Sequence, residues 1–540
     1  MNPHTARCDG HLPVAVLLCA HLGDANGGLD LRAVREGLET AVPSVHVRLL
    51  DDACRQPNRV GAAVRASGAA RLVLGLCRRG YAAAELHAEL RKAGLDPLGV
   101  EVVDLGAYAV RVHSREEATR KARVLLAAAA ARARTFAGAR PENLKPLLPK
   151  AVSRRALLSL SLLEYQAVAA VAVERCHAED GCRECLGACP YQALSLEDGE
   201  IRLDKSRCTS CGSCVTACPH EATDLPGWTA AQVEAYVGAL LGAPPAELAP
   251  RAVLVVCRHG AAALQALAGT GASYPVQWLP MEVPSLGMVP PAWLLAFLHL
   301  GAAGVGVVSC TQGCGATSVT RIEGRVDFCR DVLRHAGGHP ERVVLLPEEP
   351  SALLRALWTT AVEVLQVPPL VQAPPAATAT GDPFAHRSRA RVLVALGERL
   401  GAPSLAIDHL ASPFGLVQVG AGCTLCGGCA AACGPGALRL EGDGEAALTF
   451  DPALCTACGR CIAACPEPDT LALHRRTDLP LLSRGREALV RGRYGRCVAC
   501  GGPIAPQPML ERVARLLAGE PPRTLQVVTR YCSSCRGLAQ

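Results

Sequence analysis

Cysteines at short, regular spacings are the residues of this chain that could carry chemistry. Of the 28 cysteines in 540 residues, sixteen lie in four runs and four more lie in two C-x2-C pairs. The dominant spacing, C-x2-C-x2-C-x3-C, lets one loop wrap three corners of a four-iron cubane while the fourth thiolate reaches a neighbouring cluster. Cysteines three residues apart bind one metal more readily than each other, so the pattern favours metal sites over disulfides and predicts a reducing, cytoplasmic location.

The first two runs lie between residues 176 and 219, and one of them departs from the spacing. It reads RCHAEDGCRECLGACP, with Glu179 where the first cysteine should stand. Cys176 can replace that cysteine if the five residues between loop out, which Asp180-Gly181 permits as a turn; otherwise Glu179 or solvent completes the site. The predicted ligand sets are Cys176, Cys182, Cys185 and Cys218 for one cubane, and Cys189, Cys208, Cys211 and Cys214 for the other.

The other two runs lie between residues 423 and 466. They depart from the pattern only at Gly434, which separates Cys433 from the proline that usually follows. Structural zinc is the alternative, but such sites use paired knuckles rather than triple runs with a fourth cysteine. The predicted ligand sets are Cys423, Cys426, Cys429 and Cys465, and Cys433, Cys455, Cys458 and Cys461. Together the four runs predict four [4Fe–4S] clusters.

The C-terminal tail holds the two C-x2-C pairs, separated by sequence of helical character. Two such knuckles predict a structural zinc site, with a rubredoxin-like iron and a redox dithiol as alternatives. The predicted ligands are Cys497, Cys500, Cys532 and Cys535.

Two α/β segments must hold these cysteine runs in place. Residues 12–136 alternate amphipathic helices with the strands PVAVLLC, VHVRLL, ARLVLGLC and GVEVVDL; residues 251–365 do so with AVLVVC, YPVQWL, GVGVVSC and RVVLL. This alternation predicts two parallel sheets. In the first, Cys19 and Cys77 end strands and Cys54 follows the strand between them. The three could therefore converge on one site at the carboxyl edge, or simply pack as small apolar residues.

Parts of the chain resemble known families. The four runs resemble bacterial-type ferredoxins with two [4Fe–4S] clusters, which implies one-electron transfer. The stretches VAVLLCAHLGD, LLDDACRQPNRV and LVLGLCRRGY resemble the N-terminal domain of the heterodisulfide reductase A family, which implies another iron–sulfur cluster on Cys19, Cys54 and Cys77. His21 stands where that family has a further cysteine, and GAYAV (106–110) lacks a later one.

The second α/β segment resembles the delta subunit of methyl-viologen-reducing hydrogenase. The resemblance rests on AVLVVCRHGA, on YPVQWLPMEVPSLGMVPPAWLLAFLHLGAAGVGVVSCTQGC and on RIEGRVDFCRDVLRHAG. It implies electron transfer between a hydrogenase or formate dehydrogenase and heterodisulfide reductase, through an iron–sulfur cluster on Cys257, Cys310 and Cys314. Gly260 and residues 281–288 lack the other cysteines of that family, so an α/β docking domain without a cluster is the alternative.

The predicted fold is therefore multidomain, α/β plus α+β, with two parallel-sheet α/β domains, two ferredoxin-like dicluster domains and a small zinc-ribbon-like tail. The predicted boundaries are 1–137 and 251–366 for the α/β domains, 151–228 and 386–478 for the dicluster domains, and 479–540 for the tail. A leading helix is expected in each dicluster domain, the first over 154–171. The apolar run 291–308 reads as a buried helix, a turn and a strand, so we expect no membrane insertion.

The sequence also argues against several functions. No G-x-G-x-x-G follows a predicted strand, so we expect no bound FAD or NAD. The formal charge of +6 falls to about −2 once four clusters each add about two negative charges, so we expect no nucleic-acid partner. We predict an electron-transfer subunit without its own substrate site, joining a hydrogenase or formate dehydrogenase to heterodisulfide-reductase-like or flavin subunits. The alternative is a non-redox assembly or adaptor protein with structural metal sites.

Overall fold

The computed structural model describes residues 13–24, 28–78, 80, 83–147, 164–242, 248–311, 314, 316–371, 382–442 and 444–538. Residues 154–163 of the predicted first leading helix lie outside these ranges. No helix among the described residues is long and apolar enough to cross a membrane.

The first α/β unit is a four-stranded parallel sheet, as predicted. Its strands β1 (Val14–Cys19), β2 (Val45–Leu50), β3 (Arg71–Leu76) and β4 (Val100–Asp104) lie in the order β2-β1-β3-β4. Every residue of β1 is buried, as a central parallel strand requires. The connections reverse direction between β1 and β3, so Cys19 and Cys77 meet where such sheets bind ligands. The helices are His21–Asp24, Leu31–Ala41, Pro57–Ser67, Ala83–Lys92 and Arg115–Arg134, with a π-helical turn at Gly106–Val110.

The first dicluster domain consists of short antiparallel pairs. Its strands are β5 (Leu144–Leu147), β6 (Glu164–Ala167), β7 (Ala170–Val171), β8 (Leu194–Glu197), β9 (Glu200–Leu203) and β10 (Thr223–Asp224), paired β5-β6, β7-β10 and β8-β9. Its helices are Glu184–Ala188, Ser213–Ala217 and Ala230–Gly242. The predicted leading helix is wrong in its described part, because β6 pairs with the predicted linker and β7 pairs with β10. Strand pairing here overrides the helical propensity of an alanine-rich stretch.

The second α/β unit repeats the first. Its strands β11 (Ala252–Cys257), β12 (Trp278–Val283), β13 (Gly304–Val308) and β14 (Val343–Leu346) are parallel, in the order β12-β11-β13-β14. The strand predicted over 274–279 begins four residues later, at Trp278, because a turn from Pro275 to Trp278 precedes it. The predicted buried helix, turn and strand are present as Pro291–His299 and β13. The other helices are Arg258–Thr270, Ala316–His335 and Pro350–Leu365.

The second dicluster domain and the tail share one sheet. The strands are β15 (Ala406–Asp408), β16 (Gly415–Val419), β17 (Leu438–Glu441), β18 (Glu445–Phe450), β19 (Leu471–Asp478), β20 (Glu487–Arg496) and β21 (Pro503–Pro506). They form two sheets, β15-β19-β16 and β17-β18-β20-β21, so the second sheet continues past the predicted boundary at 478/479. The helices are Arg389–Arg399, at the position of the predicted leading helix, Gly428–Ala431, Arg460–Ala463, Leu479–Arg484, Gln507–Leu516 and Pro522–Arg530.

Polar side chains join the two α/β units through a buried interface. The Lys121 side chain is fully buried, and its Nζ lies 2.9 Å from His113 Nε2 and 3.3 Å from the Tyr274 hydroxyl. Gln265 Nε2 donates to Asp104 Oδ2 at 3.2 Å. Because buried polar groups must be paired, these contacts fix how one sheet sits on the other.

Arg132 joins the first α/β unit to the helix Ala230–Gly242. Its Nε donates to Glu101 Oε1 at 2.8 Å, and each of the two side chains is only 14% exposed. The guanidinium lies 4.8 Å from the ring centroid of Trp228 and 4.7 Å from that of Tyr236. One cation therefore neutralises a largely buried carboxylate and packs against two aromatic rings.

We expect Arg132→Ala to lower the free energy of unfolding by about 3 kcal/mol, because it leaves the Glu101 carboxylate buried without its partner. Urea unfolding followed by the fluorescence of the four tryptophans measures the change. Arg115→Ala, at the exposed start of the same helix, is the matched control. Equal effects of the two substitutions would contradict the role of Arg132.

Candidate metal centres

Four thiols surround a cavity in the first dicluster domain. The cavity is lined by Cys189, Cys208, Cys211 and Cys214, together with apolar residues such as Ala169, Leu194 and Leu203. Two residues with left-handed backbone, Ser210 (φ 62°) and Gly212 (φ 74°), flank Cys211. Turns of this kind aim backbone amides into the concavity, which suits an anionic cluster. The four thiols brought together are those that the spacing predicts.

The same backbone geometry recurs twice in the second dicluster domain. Leu425 (φ 56°) and Gly427 (φ 79°) flank Cys426, and Ala457 (φ 55°) and Gly459 (φ 79°) flank Cys458. Each loop borders a cavity lined by one predicted ligand set: Cys423, Cys426, Cys429 and Cys465 in one case, and Cys433, Cys455, Cys458 and Cys461 in the other.

The irregular first run loops out between Cys176 and Cys182. Cys182 N donates to the carbonyl of His177 at 3.0 Å, and Gly181 has a φ of 84°, so residues 177–181 close on themselves as an outward loop. Glu179 is exposed on this loop. Burial, and then the thiols of Cys218, Cys182 and Cys176, raise the pKa of Cys185 to about 12. Cys176 therefore lies within electrostatic reach of the other three predicted ligands.

Burial makes the cluster thiols difficult to ionise by themselves. It raises the pKa of Cys461 to about 12, and that of Cys182, Cys429 and Cys455 to about 11. Neighbouring thiols raise the pKa of Cys429 and Cys461 further. A coordinated metal reverses this effect, since its positive charge deprotonates thiols outright. The cavities thus have the donor set and the electrostatics of a site for a thiolate-ligated metal cluster.

In the first α/β unit, the three predicted cysteines converge and a histidine joins them. Cys19 Sγ lies 3.7 Å from Cys77 Sγ and 3.7 Å from His21 Nδ1, and Cys54 Sγ lies 3.5 Å from the same nitrogen. One ligand atom from each of the four residues lies within 4.8 Å of all the others. Cys19 and Cys54 are also fully buried in the core of the sheet, so the structure shows the cysteines both packed and gathered at one point.

The second α/β unit has a related arrangement at the same sheet edge. Cys257, His259 and Cys310 form a group within 4.8 Å, with His259 Nδ1 3.9 Å from Cys257 Sγ and 3.5 Å from Cys310 Sγ. Hydrogen bonds from Cys257, from Ser285 and from the amide of Leu286 lower the pKa of Cys314 to about 5. All three predicted cysteines thus share one site, while Cys329 lies apart, buried in the helix Ala316–His335.

The ligands predicted from the sequence do not include His259. His21 is mentioned there only because it occupies a position where the similar family has a cysteine. A signal is nevertheless present: C-x-H follows the first strand of both α/β units, at Cys19 and at Cys257. It is easily missed because a lone histidine has little specificity until the fold places it beside thiols.

The tail brings its four cysteines together as predicted. One ligand atom from each lies within 4.8 Å of the others, and Cys500 Sγ and Cys532 Sγ are 3.7 Å apart. Cys497 N donates to Gly502 O and Gly501 N donates to Cys497 O, both at 2.8 Å, which forms a tight knuckle. The donor set fits a tetrahedral structural zinc ion.

Comparisons with known proteins agree with this geometry. Residues 252–357 match the family model of the delta subunit of methyl-viologen-reducing hydrogenase. Residues 175–222 and 422–468 match one model of a 4Fe-4S dicluster domain, and residues 447–505 match another. A search of curated proteins found no match. The matched regions begin at residue 175, so none of these family models covers the first α/β unit. The chain thus joins a region similar to a hydrogenase delta subunit to two regions similar to iron–sulfur dicluster domains, as in an iron–sulfur electron-transfer subunit.

Proposed function

We propose that this chain is the electron-relay subunit of a heterodisulfide-reductase-like complex linked to a hydrogenase or formate dehydrogenase. Its four cysteine sets would hold [4Fe–4S] clusters, which supply one-electron chemistry when bound. The protein's own contribution would be to hold the ligand loops against one another in a fixed order. No substrate site is needed for this role.

The contact between the two dicluster domains carries this proposal. Gly434, directly after Cys433, lies so close to Cys182 that a Cβ added at Gly434 would be 2.6 Å from the backbone nitrogen of Cys182. His220 Nε2 donates to the carbonyl of Gly434 at 2.9 Å. A predicted ligand of one domain thus touches a predicted ligand loop of the other, and this close approach favours direct electron exchange between their clusters.

The irregular loop 177–181 contributes to the same contact. Arg460, beside Cys461, donates a hydrogen bond to the carbonyl of Gly181. The His177 ring stacks on His220 with 4.0 Å between centroids, and Asp180 lies 2.8 Å from His177. The extra residues between Cys176 and Cys182 therefore build the docking surface for the second domain.

A second contact extends the line of sites to the second α/β unit. A Cβ added at Gly212, in the Cys208–Cys214 loop, would lie 2.6 Å from the Met288 sulfur. Met288 belongs to the segment 285–288, whose Leu286 amide donates to Cys314 Sγ at 3.5 Å. The line would run from the Cys257–Cys310–Cys314 site through the first dicluster domain to the second. The hydrogenase-like partner would then dock on the second α/β unit, and a flavin- or disulfide-reducing subunit would take the electrons.

Metal content and reduction test the proposal as a whole. The chain purified without oxygen should carry at least about 16 irons, four per cubane, and its reduction should give EPR signals of magnetically interacting [4Fe–4S] clusters. Clusters that cannot be reduced, or zinc in place of iron, would favour the assembly or adaptor protein.

Replacing Cys176 tests the irregular ligand set. We expect Cys176→Ala to lose about four irons, or about one if a three-iron cluster remains, because one corner of a cubane loses its thiolate. Iron analysis and the EPR signal of a three-iron cluster measure this. Glu179→Ala on the same loop is the control and should retain all iron. Full iron content in Cys176→Ala would make Glu179 or solvent the ligand.

Replacing Gly434 tests the contact between the domains. We expect Gly434→Ala to retain its iron but to weaken the magnetic interaction between clusters of the two domains, because the added methyl group forces the loops apart. Gly187→Ala is the matched control, since a Cβ at Gly187 meets no atom within 4 Å. EPR of the reduced proteins compares them, and identical spectra for both would remove the direct contact from the relay.

A further inference from the structure

The site at Cys19, His21, Cys54 and Cys77 does not have the dimensions of an iron–sulfur cluster. In a cubane each thiolate binds a different iron, so its thiolates stand well apart. Here one ligand atom from each residue lies within 4.8 Å of all the others. The ligands of a single tetrahedral ion, with bonds of about 2.0–2.3 Å, are roughly 3.4–3.8 Å apart. The measured separations of 3.5 Å and 3.7 Å fall within that interval.

The separations between ligand atoms can be compared with those of the other cysteines in the chain. Among the residues that the structure describes, none of the sixteen cysteines of the four runs belongs to a group this compact. The tail cysteines, with the zinc spacing, do, and so does the three-residue group of Cys257, His259 and Cys310 in the second α/β unit. The site in the first α/β unit therefore groups with the single-ion geometry and not with the dicluster geometry.

The surroundings of His21 provide a second, independent observation. Its Nδ1 faces the sulfurs, while its Nε2 lies 3.5 Å from Asp52 Oδ1. Metal-binding histidines commonly direct their other ring nitrogen at a carboxylate, which fixes the tautomer and the ring orientation. Asp52 is held by a tight turn with a φ of 55°, and its carbonyl accepts from the amides of Arg55 and Gln56 at 2.9 Å.

The segment where the related family has a further cysteine is closed to additional ligands. In GAYAV (106–110) all five residues are buried, and a Cβ added at Gly106 would lie 2.7 Å from the Cys77 carbonyl carbon. This turn packs directly on the backbone of Cys77. A set of four protein ligands is typical of a structural site.

We propose that Cys19, His21, Cys54 and Cys77 bind one zinc ion. Three thiolates and one imidazole form a closed tetrahedral set that zinc prefers, and zinc has no redox chemistry of its own. The ion would join the ends of β1 and β3 to the loop after β2. The first α/β unit would then be a structural module outside the electron route, and this inference does not depend on the proposed relay.

Zinc and iron analysis of the full chain, purified without oxygen, tests this inference. We expect about two zinc ions per chain, one in the tail and one here. Cys77→Ala should lose about one zinc and no iron. Cys329→Ala, which removes a buried cysteine outside every metal group, should lose neither metal. Loss of iron from Cys77→Ala, or no change in zinc, would overturn the inference.

A measurement on the intact site covers the case in which Cys77→Ala does not fold. In the double variant Cys500→Ser/Cys532→Ser, which removes the tail site, X-ray absorption at the zinc edge should show three sulfurs at about 2.3 Å and one nitrogen at about 2.0–2.1 Å. The expected zinc content of this variant is about one per chain. A variant with no zinc, or with four sulfur neighbours, would rule out the Cys3His site.

Discussion

The structure depends on gathering thiols that burial makes difficult to ionise. Burial raises the pKa of Cys185 and of Cys461 to about 12, so each cavity is unfavourable for thiolates until a metal supplies positive charge. The backbone also helps to accommodate thiolate charge. In three separate loops, residues with left-handed backbone conformation flank a central cysteine. The backbone N–H dipoles of these loops can then stabilise the negative charge of the thiolates.

Close contacts between ligand loops and neighbouring units require glycine at two positions. Gly434 and Gly212 each allow a predicted ligand loop to touch a neighbouring unit where a methyl group would collide. The irregular run follows the same logic, because its additional residues form a loop that Arg460 and His220 hold against the second domain. What looks like a defect in a motif is therefore a docking element.

Much of this organisation can be predicted from the sequence, because cysteine spacing and strand–helix alternation are local signals. The parallel sheets of both α/β units and the four thiol sets follow from such patterns. Other features depend on partners distant in the chain. Residues 164–171 look helical but form strands, because Leu144–Leu147 and Thr223–Asp224 supply hydrogen-bonding partners. His21 and His259 can be recognised as potential ligands only when the fold brings the ends of the strands, and with them the cysteines, together.

The two α/β units place related groups of cysteine and histidine at the same edge of their sheets. Both place C-x-H after the first strand and a cysteine after the third. In the first unit the remaining thiol, Cys54, comes from the loop after β2, and the set closes around His21. In the second it is Cys314, beyond β13, and the segment that touches it also presents Met288 to a cluster loop. The unit whose additional thiol lies beyond its third strand is therefore the one whose cysteine site borders a predicted ligand loop.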